Sequence, residues 1–439
     1  MRIENVTWPR WLGKTTMAAL MLATVSMETA VAQDAQAVSQ LTLSDALNRA
    51  LDNNPITNAA DEEIRAVESE ARQAGLWDNP TFVAEVEDFG GDREGLGDAD
   101  TTLSINQTVP LGGDRSRARD AANAWAQAAR ADRDLHRTRL LADTAQAYVA
   151  AHAASETLAV RLELLELANN SADAINSRVE AGRASPIERS RASVLIGRAT
   201  IAANEAASTQ AEQHDRLAAI WSGGRLDADF VSPLDAFDLS RFENAELDVW
   251  ISENPELQKL HAITRARAQE IRQERAAAIP DLTVGAGVRR FGGTDETAFV
   301  ATVEVPIPVL NRNQGGVRAA ASRENAARLD EESTRRALLA RFASASGRFE
   351  RARSTHEQLS ENILPASENA LSAAQEAYRE GALDVLNFLD IQRSYFDVRV
   401  DLISAQSELA SALIELDALA GAPQLNRMVN ASPEEEHND

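Results

Sequence analysis

The chain repeats its own punctuation at a period of about 200 residues. Asn54-Pro55 recurs as Asn254-Pro255, Pro80 as Pro280, and Gly182 as Gly381. Val109-Pro110-Leu111-Gly112 returns loosely as Ile307-Pro308-Val309-Leu310. Between these marks both halves run in one order: a short helix, a second helix, two alternating segments, then a very long helical stretch broken once near a glycine. One structural unit has been used twice, and its helices are too long for an ordinary globular domain.

The alternating segments carry the next constraint. Phe82, Ala84 and Val86 alternate with Thr81, Glu85 and Glu87, and Leu103 and Ile105 with Thr102, Ser104 and Asn106. In the second half Leu282, Val284, Ala286 and Val288 alternate with Thr283, Gly285, Gly287 and Arg289, and Phe299, Ala301, Val303 and Val305 with Val300, Thr302 and Glu304. Each segment is about ten residues with one apolar and one polar face, as a membrane-spanning β-strand requires. A half-buried soluble hairpin reads the same way. The occurrence of four segments in two matched pairs favours the membrane.

Each half opens with a capped helix. Thr42-Leu43-Ser44-Asp45 starts the first, with Leu43, Leu47 and Leu51 on one face. Asn53-Asn54-Pro55 breaks it, and Pro55 sits at a tolerated first-turn position. After each strand pair the pattern predicts one unbroken helix, from about Asp114 to Ala181 and from about Gly316 to Glu380, each on the order of 100 Å at 1.5 Å per residue. Shorter helices return from Pro186 to Ser222 and from Asp384 to Ala420. In the last, Ile391, Tyr395, Val398, Leu402, Ala405, Leu409, Ala412, Leu416 and Leu419 step by four and three, a coiled-coil seam. Leu338, Phe342, Ala345, Phe349 and Ala352 keep that rhythm on the outgoing helix.

Arg2, Arg10 and Lys14 precede a short apolar run, Thr15 to Val25, and Ala30-Val31-Ala32 fits a small-x-small cleavage site. Residues 1–32 are expected to be a secretory leader, a single membrane anchor being the alternative; the run is short for a span. The net charge of −24 becomes one unit more negative without it. So acidic a chain repels nucleic acid. Cysteine is absent, which excludes disulfides, thiolate metal sites and a lipid-bearing Cys. Residues 33–40 read as a linker, 41–222 as the first repeat, 223–243 as an inter-repeat linker, 244–421 as the second repeat, and 422–439 as an acidic disordered tail.

Four strands cannot close a barrel, and an open β edge in lipid costs several kcal/mol per unpaired group. Two chains would give eight strands, with an interior nearly filled by side chains. Three would give twelve and an aqueous lumen, the long helices continuing it as a tube.

On these residues the chain resembles the TolC-type outer membrane efflux channels over roughly residues 41–421. Val305-Pro306-Ile307-Pro308-Val309-Leu310-Asn311-Arg312-Asn313-Gln314-Gly315 is similar to the signature of the CzcC-like branch, which serves heavy-metal cation efflux. The resemblance implies an α+β membrane protein: a homotrimer with four strands per chain in a shared twelve-stranded outer membrane barrel, and a coiled-coil α-barrel in the periplasm. It implies a periplasmic membrane fusion (adaptor) protein and an inner-membrane pump of the resistance-nodulation-division (RND) class as partners.

The resemblance also assigns positions. Residues three, six and nine after Gly381 are Asp384, Asn387 and Asp390; the family places a cation-attracting ring at the latter two, at the periplasmic aperture, with an amide here at the first. The three share one helix face by spacing; a solvated face near a turn is the plainer reading. Tyr378 and Glu188 match the family's closing link, with Leu383 where a basic partner is usual. Gly182, Ser185 and Gly381 mark the periplasmic tip turns. Asn311, Arg312, Asn313 and Gly315 form a barrel–helix junction motif, either shaping the lumen or bending the chain and capping a helix.

The six histidines are scattered, with no metal-ligand spacing, and neither a phosphate loop nor a nucleophile elbow occurs. No enzymatic activity, cofactor or resident metal is expected. The function expected is that of a passive exit duct for divalent heavy-metal cations. The alternatives are the same channel exporting drugs, organic compounds or a type I secreted polypeptide, and a soluble periplasmic coiled-coil adaptor.

Overall fold

The computed structural model describes residues 40–90, 95–221, 223–224, 226, 228–242 and 247–430. The expected leader and most of the linker after it lie outside the described residues. The first half runs β1 (Gln40–Leu41), α1 (Leu43–Asn53), α2 (Pro55–Ala74), β2 (Thr81–Glu87), β3 (Asp100–Val109), α3 (Asp114–Glu180) and α4 (Pro186–Ala219). After β4 (Asp229–Phe230), the second repeats the order with α5 (Leu247–Glu253), α6 (Pro255–Ala276), β5 (Leu282–Arg290), β6 (Thr297–Glu304), α7 (Gln314–Glu357), α8 (Leu364–Glu380) and α9 (Val385–Leu419). A last helix, α10 (Pro423–Asn430), follows.

Local chemistry sets the helix starts. Thr42 and Asp45 form a reciprocal capping box on α1. Asn54 and Asn254 each cap the helix that begins at the following proline, satisfying amides that a first turn leaves free. Their side-chain amides also donate to Ile220 O and Leu419 O, tying both repeats to the ends of their return helices by one device.

The four long strands form one antiparallel sheet in the order β2-β3-β5-β6. Phe82 stands opposite Ile105, Ile105 opposite Ala286, and Ala286 opposite Ala301. The alternation therefore builds one apolar face, and Phe299 (94% exposed), Val303 (73%) and Phe82 (66%) lie bare on it. The other face carries Glu85, Thr102, Ser104, Asn106 and Thr302, with Arg289 paired to Glu87 and Asp100. Among the described residues β2 and β6 each pair on one side only.

Below the sheet α2 packs on α3, α3 on α6 and α6 on α7, the order of the strands above them. Farther down, the order becomes α4, α3, α9 and then the α7–α8 rod. Where the two layers meet, Leu141, Tyr148, Phe349, Leu413, Ile414 and Leu425 form the main core. The Tyr148 hydroxyl donates to Leu41 O at 2.6 Å and accepts from Val231 N–H at 3.1 Å. Burial pushes its pKa far up.

Four expectations need correction. The tail expected from residue 422 begins with an ordered helix: Gln424 and Leu425 are buried, and the Asp417 carboxylate accepts both their N–H groups. Eight residues are too few for periodicity to reveal, and tertiary packing forms the helix; residues 431–439 lie outside the described set. The inter-repeat linker is packed, since β4 pairs with β1, which begins within the expected 33–40 linker, and Phe237 is buried. The second long helix is interrupted by a π-helical turn, Gln358–Ile363, just ahead of Pro365. Pro365 lacks an N–H and its ring crowds a preceding carbonyl; the wider turn accommodates both. In the lower part of α9 the buried row is Phe388, Gln392 and Phe396 rather than Ile391, Tyr395 and Val398.

Candidate functional site

The two helical tips are built alike. Gly182 (φ 68°) and Gly381 (φ 80°) end their helices in the left-handed region, where glycine has no Cβ penalty. Arg183 N–H reaches back to Arg178 O at 2.8 Å, and Ala382 N–H to Ala377 O at 2.8 Å, with the paired inner bonds from Gly182 to Val179 and Gly381 to Tyr378. This is the double-bonded Schellman ending. Three residues on, Ser185 and Asp384 start the return helices as N-caps.

At the first tip Ser185 Oγ accepts from Ile187 N–H, and Ser185 N–H donates to Glu188 Oε1 at 3.2 Å. At the second, Asp384 accepts from Leu386 N–H at 2.9 Å and Asn387 N–H at 3.2 Å, and the Asn387 side-chain amide also donates to it. Glu188 and Asn387 thus occupy equivalent positions. The Asn387 backbone amide leads in holding the Asp384 carboxyl below its ordinary value.

The structure brings together only part of the sequence-predicted set. Asp384 and Asn387 join in a cap. Asp390 lies one turn farther along α9, exposed, with no ion pair among the described residues. Within the chain no hydrogen bond joins Tyr378 to Glu188, whose carboxylate is turned to Ser185. Tyr378 instead stacks on Phe388, centroids 4.7 Å apart and planes 3° apart. The Arg178 guanidinium lies 5.2 Å from the Tyr378 ring centroid. Val385 and Leu389 pack with Ile175, Val179 and Ala192, so the two tips share one apolar cluster. Sequence reasoning missed Arg178 and Phe388. The one available signal was Arg178 as a cation in the last turn of α3, where the helix dipole favours it.

At the junction Asn313 is left-handed (φ 53°) and precedes α7, as Gly113 (φ 72°) precedes α3. Asn311 Oδ1 accepts from Asn313 N–H at 3.0 Å, and Arg312 Nε donates to Pro308 O at 3.1 Å. The Asn313 amide donates to Glu274 O at 2.9 Å and Glu274 Oε2 at 2.6 Å. A Cβ on Gly316 would fall on Asn313 Oδ1 and the Glu274 carboxylate, whereas one on Gly315 would meet open space. The motif therefore bends the chain and fastens α7 to α6. Glu274 was not singled out in the sequence.

Among the described residues no three His, Asp or Glu side chains converge in a metal-holding group, and no helix is long and apolar enough to cross a membrane. What the arrangement offers is a spanning-type sheet joined to long helices, with polar groups at the far tips.

Comparison with known proteins agrees with this architecture. A family model described as outer membrane efflux protein matches residues 46–223 and again 247–422. The cobalt-zinc-cadmium resistance protein CzcC of Cupriavidus metallidurans is 26% identical over 395 residues, covering 88% of this chain and 91% of that protein. The nickel-cobalt-cadmium resistance protein NccC of Alcaligenes xylosoxydans xylosoxydans is 26% identical over 335 residues, 74% of each. The open-state crystal structure of the Neisseria gonorrhoeae MtrE outer membrane channel superimposes with a TM-score of 0.72 at 21% identity, over 86% of this chain and 88% of that one, a likeness in fold alone. With the family model covering both repeats, the chain belongs to the outer membrane efflux protein family.

Proposed function

We propose that this outer membrane efflux protein is the exit duct of a tripartite pump for divalent heavy-metal cations. The observation that carries the duct is the four-stranded sheet. One face is apolar and bare, the other polar, and β2 and β6 have open edges. In lipid those edges must be paired, and three copies pairing β6 to β2 make twelve strands around an aqueous lumen. The α-helices extend the lumen into the periplasm.

The cargo reading rests on the relatives named for cobalt, zinc, nickel and cadmium resistance. The chain supplies conduction and no bond-making chemistry; energy comes from an RND-type cation pump in the inner membrane, coupled through a periplasmic adaptor at the tips. Threefold symmetry sets three Asp390 carboxylates around the aperture, where mutual proximity attracts cations. Asn387 and Asp384 support that turn from their cap. Tyr378 and Glu188 serve as a closing link between copies. Glu188 must then leave Ser185 or share its carboxylate.

Deletion of the gene tests the cargo. Sensitivity to zinc, cobalt, nickel or cadmium is expected, with tolerance of dyes and detergents unchanged. The opposite pattern sinks the metal reading and leaves the duct standing.

A further inference from the structure

Helix α2 packs on α3, with Ile64 and Ala71 buried. At 100° per residue, Ile56, Glu63, Val67 and Glu70 fall about 60–120° to one side of Ile64. They therefore line one surface of the helical layer rather than the outer flank of α2. Beside them α3 presents Ala122 and Ala129, and α6 presents Ile263. The small side chains leave room between the helices, and a cavity of about 560 Å³ opens there. Small-molecule sites have volumes of about 300–1,000 Å³.

Trp125 gives the cavity a fixed aromatic wall. Its indole N–H donates to Glu270 Oε1 at 2.9 Å, and the Arg267 guanidinium lies 4.7 Å from its ring centroid. Arg267 is in turn paired to Glu270 at 2.9 Å. Two residues of α6 thus hold a ring of α3 in place.

The charges in the lining divide unevenly. Lys259 is paired to Asp132 at 2.7 Å, and the same carboxylate lies 3.7 Å from His136 Nε2. Arg133 gives its Nε and one Nη to Asp134, at 3.1 Å and 2.7 Å. The two permanent cations of the lining are therefore already neutralised. Glu63 and Glu70 are exposed, and among the described residues neither carboxylate takes an ion pair or a hydrogen bond. An apolar, aromatic cavity with two free carboxylates on one wall suits a body that is itself apolar and positively charged. Burial of apolar surface supplies attraction; the carboxylates and the ring supply a preference for positive charge.

We infer that this cavity between α2, α3 and α6 is a binding site for a lipophilic organic cation, with Glu63 and Glu70 setting the charge preference and Trp125 forming the aromatic wall. The site is distinct from the tips and from the sheet, and it rests on neither the ring closure nor the cargo proposed above.

The chain has no cysteine, so a single thiol placed in the cavity reports its occupancy. Ala129 on α3 and Val67 on α2 both line it, and A129C and V67C are the two reporters. The probes are tetraphenylphosphonium and tetraphenylborate, alike in shape and opposite in charge. The full chain is purified in a non-ionic detergent, and free probe concentrations are read with ion-selective electrodes. Tetraphenylphosphonium should slow maleimide labelling of both reporters, and tetraphenylborate should not. In the A129C background, E63Q/E70Q should raise the tetraphenylphosphonium concentration for half-protection about tenfold, a few-fold for each exposed carboxylate. A366C, on the exposed surface of α8, should label at the same rate with and without probe. Circular dichroism checks that each variant keeps its helices. No protection of either reporter overturns the site. Equal protection by tetraphenylborate, or undiminished protection in E63Q/E70Q, overturns its assignment to cations. Protection of A366C to the same degree places the effect outside the cavity and overturns the inference as well.

Discussion

Tyr378 and Phe388 stack with their ring planes 3° apart and centroids 4.7 Å apart, one from the last turn of α8 and the other from the first turns of α9. Arg178, from the other repeat, lies within cation–π reach of the same Tyr378 ring. The second tip is therefore held to the first by an aromatic and cationic contact inside one chain. Stacking and cation–π contacts contribute about 0.5–1.5 kcal/mol each at partly exposed sites, enough to bias a tip without locking it.

Tyr378→Ala is expected to raise the open probability of single channels in planar bilayers. Tyr378→Phe separates two causes. Stacking survives loss of the hydroxyl, so Y378F should conduct like the parent if the ring contact holds the tip. A Y378F channel as open as Y378A would assign the restraint to the hydroxyl, and hence to the link with Glu188 of a neighbouring copy.

Asp390 and Asp384 should separate cleanly. Asp390→Ala removes an exposed carboxylate with no ion pair among the described residues and should weaken block of the channel by multivalent cations added from the periplasmic side, with thermal stability unchanged. Asp384→Ala removes a cap from α9, a change that costs about 1 kcal/mol, and should lower the melting temperature while leaving block near parental. Equal block in the parent and in D390A would remove Asp390 from the aperture.

At the junction Gly316→Ala should be the harmful glycine change and Gly315→Ala the tolerated one, since only the first places a Cβ on Asn313 and Glu274. Asn313→Ala loses both bonds to Glu274 and leaves a non-glycine residue in left-handed geometry, together costing about 1–3 kcal/mol. Asn313→Gly relieves the geometry but still loses the bonds, and should fall between. Thermal melts of detergent-solubilised protein order the four variants.

Much of this architecture can be read from residue types alone, because its signals are local. Thr42 with Asp45, Asn54 before Pro55, and Gly182 three residues before Ser185 announce helix ends through their own backbone needs. The strands are legible because Phe82, Ala84 and Val86 point one way by the period of the pleat. The illegible parts are contacts between distant segments. Nothing near Asn313 names Glu274, and nothing near Tyr378 names Arg178. The π turn escaped for a different reason: a one-residue slip in hydrogen bonding leaves the apolar rhythm nearly intact, and Pro365 alone does not say whether a helix ends or widens. At the tips the resemblance gives Glu188 to a closing link and Asp384 to the aperture face, and what it could not give is that within the chain each carboxylate is turned onto its own helix start.

The pH response should centre on Asp417. Its side chain is fully buried, and its oxygens accept the Gln424 and Leu425 N–H groups that open α10. Burial raises its pKa above the ordinary value of an aspartate, against the lowering effect of those bonds and of Arg241 and Arg427. A carboxyl whose pKa is higher folded than unfolded favours folding most below the unfolded value, and that contribution is lost as pH rises through the folded value. Asp417→Asn keeps an acceptor oxygen without the buried charge, so its stability relative to the parent should improve as pH climbs from below 3.8 to neutrality. Asp417→Ala leaves the buried N–H groups of α10 unpaired and should cost about 1–3 kcal/mol across that range. Denaturant melts of the three proteins at several pH values check this. A D417N variant whose stability difference from the parent is flat with pH would show that the bonds to α10 fully offset burial at Asp417, and one that loses ground as pH rises would show that they outweigh it.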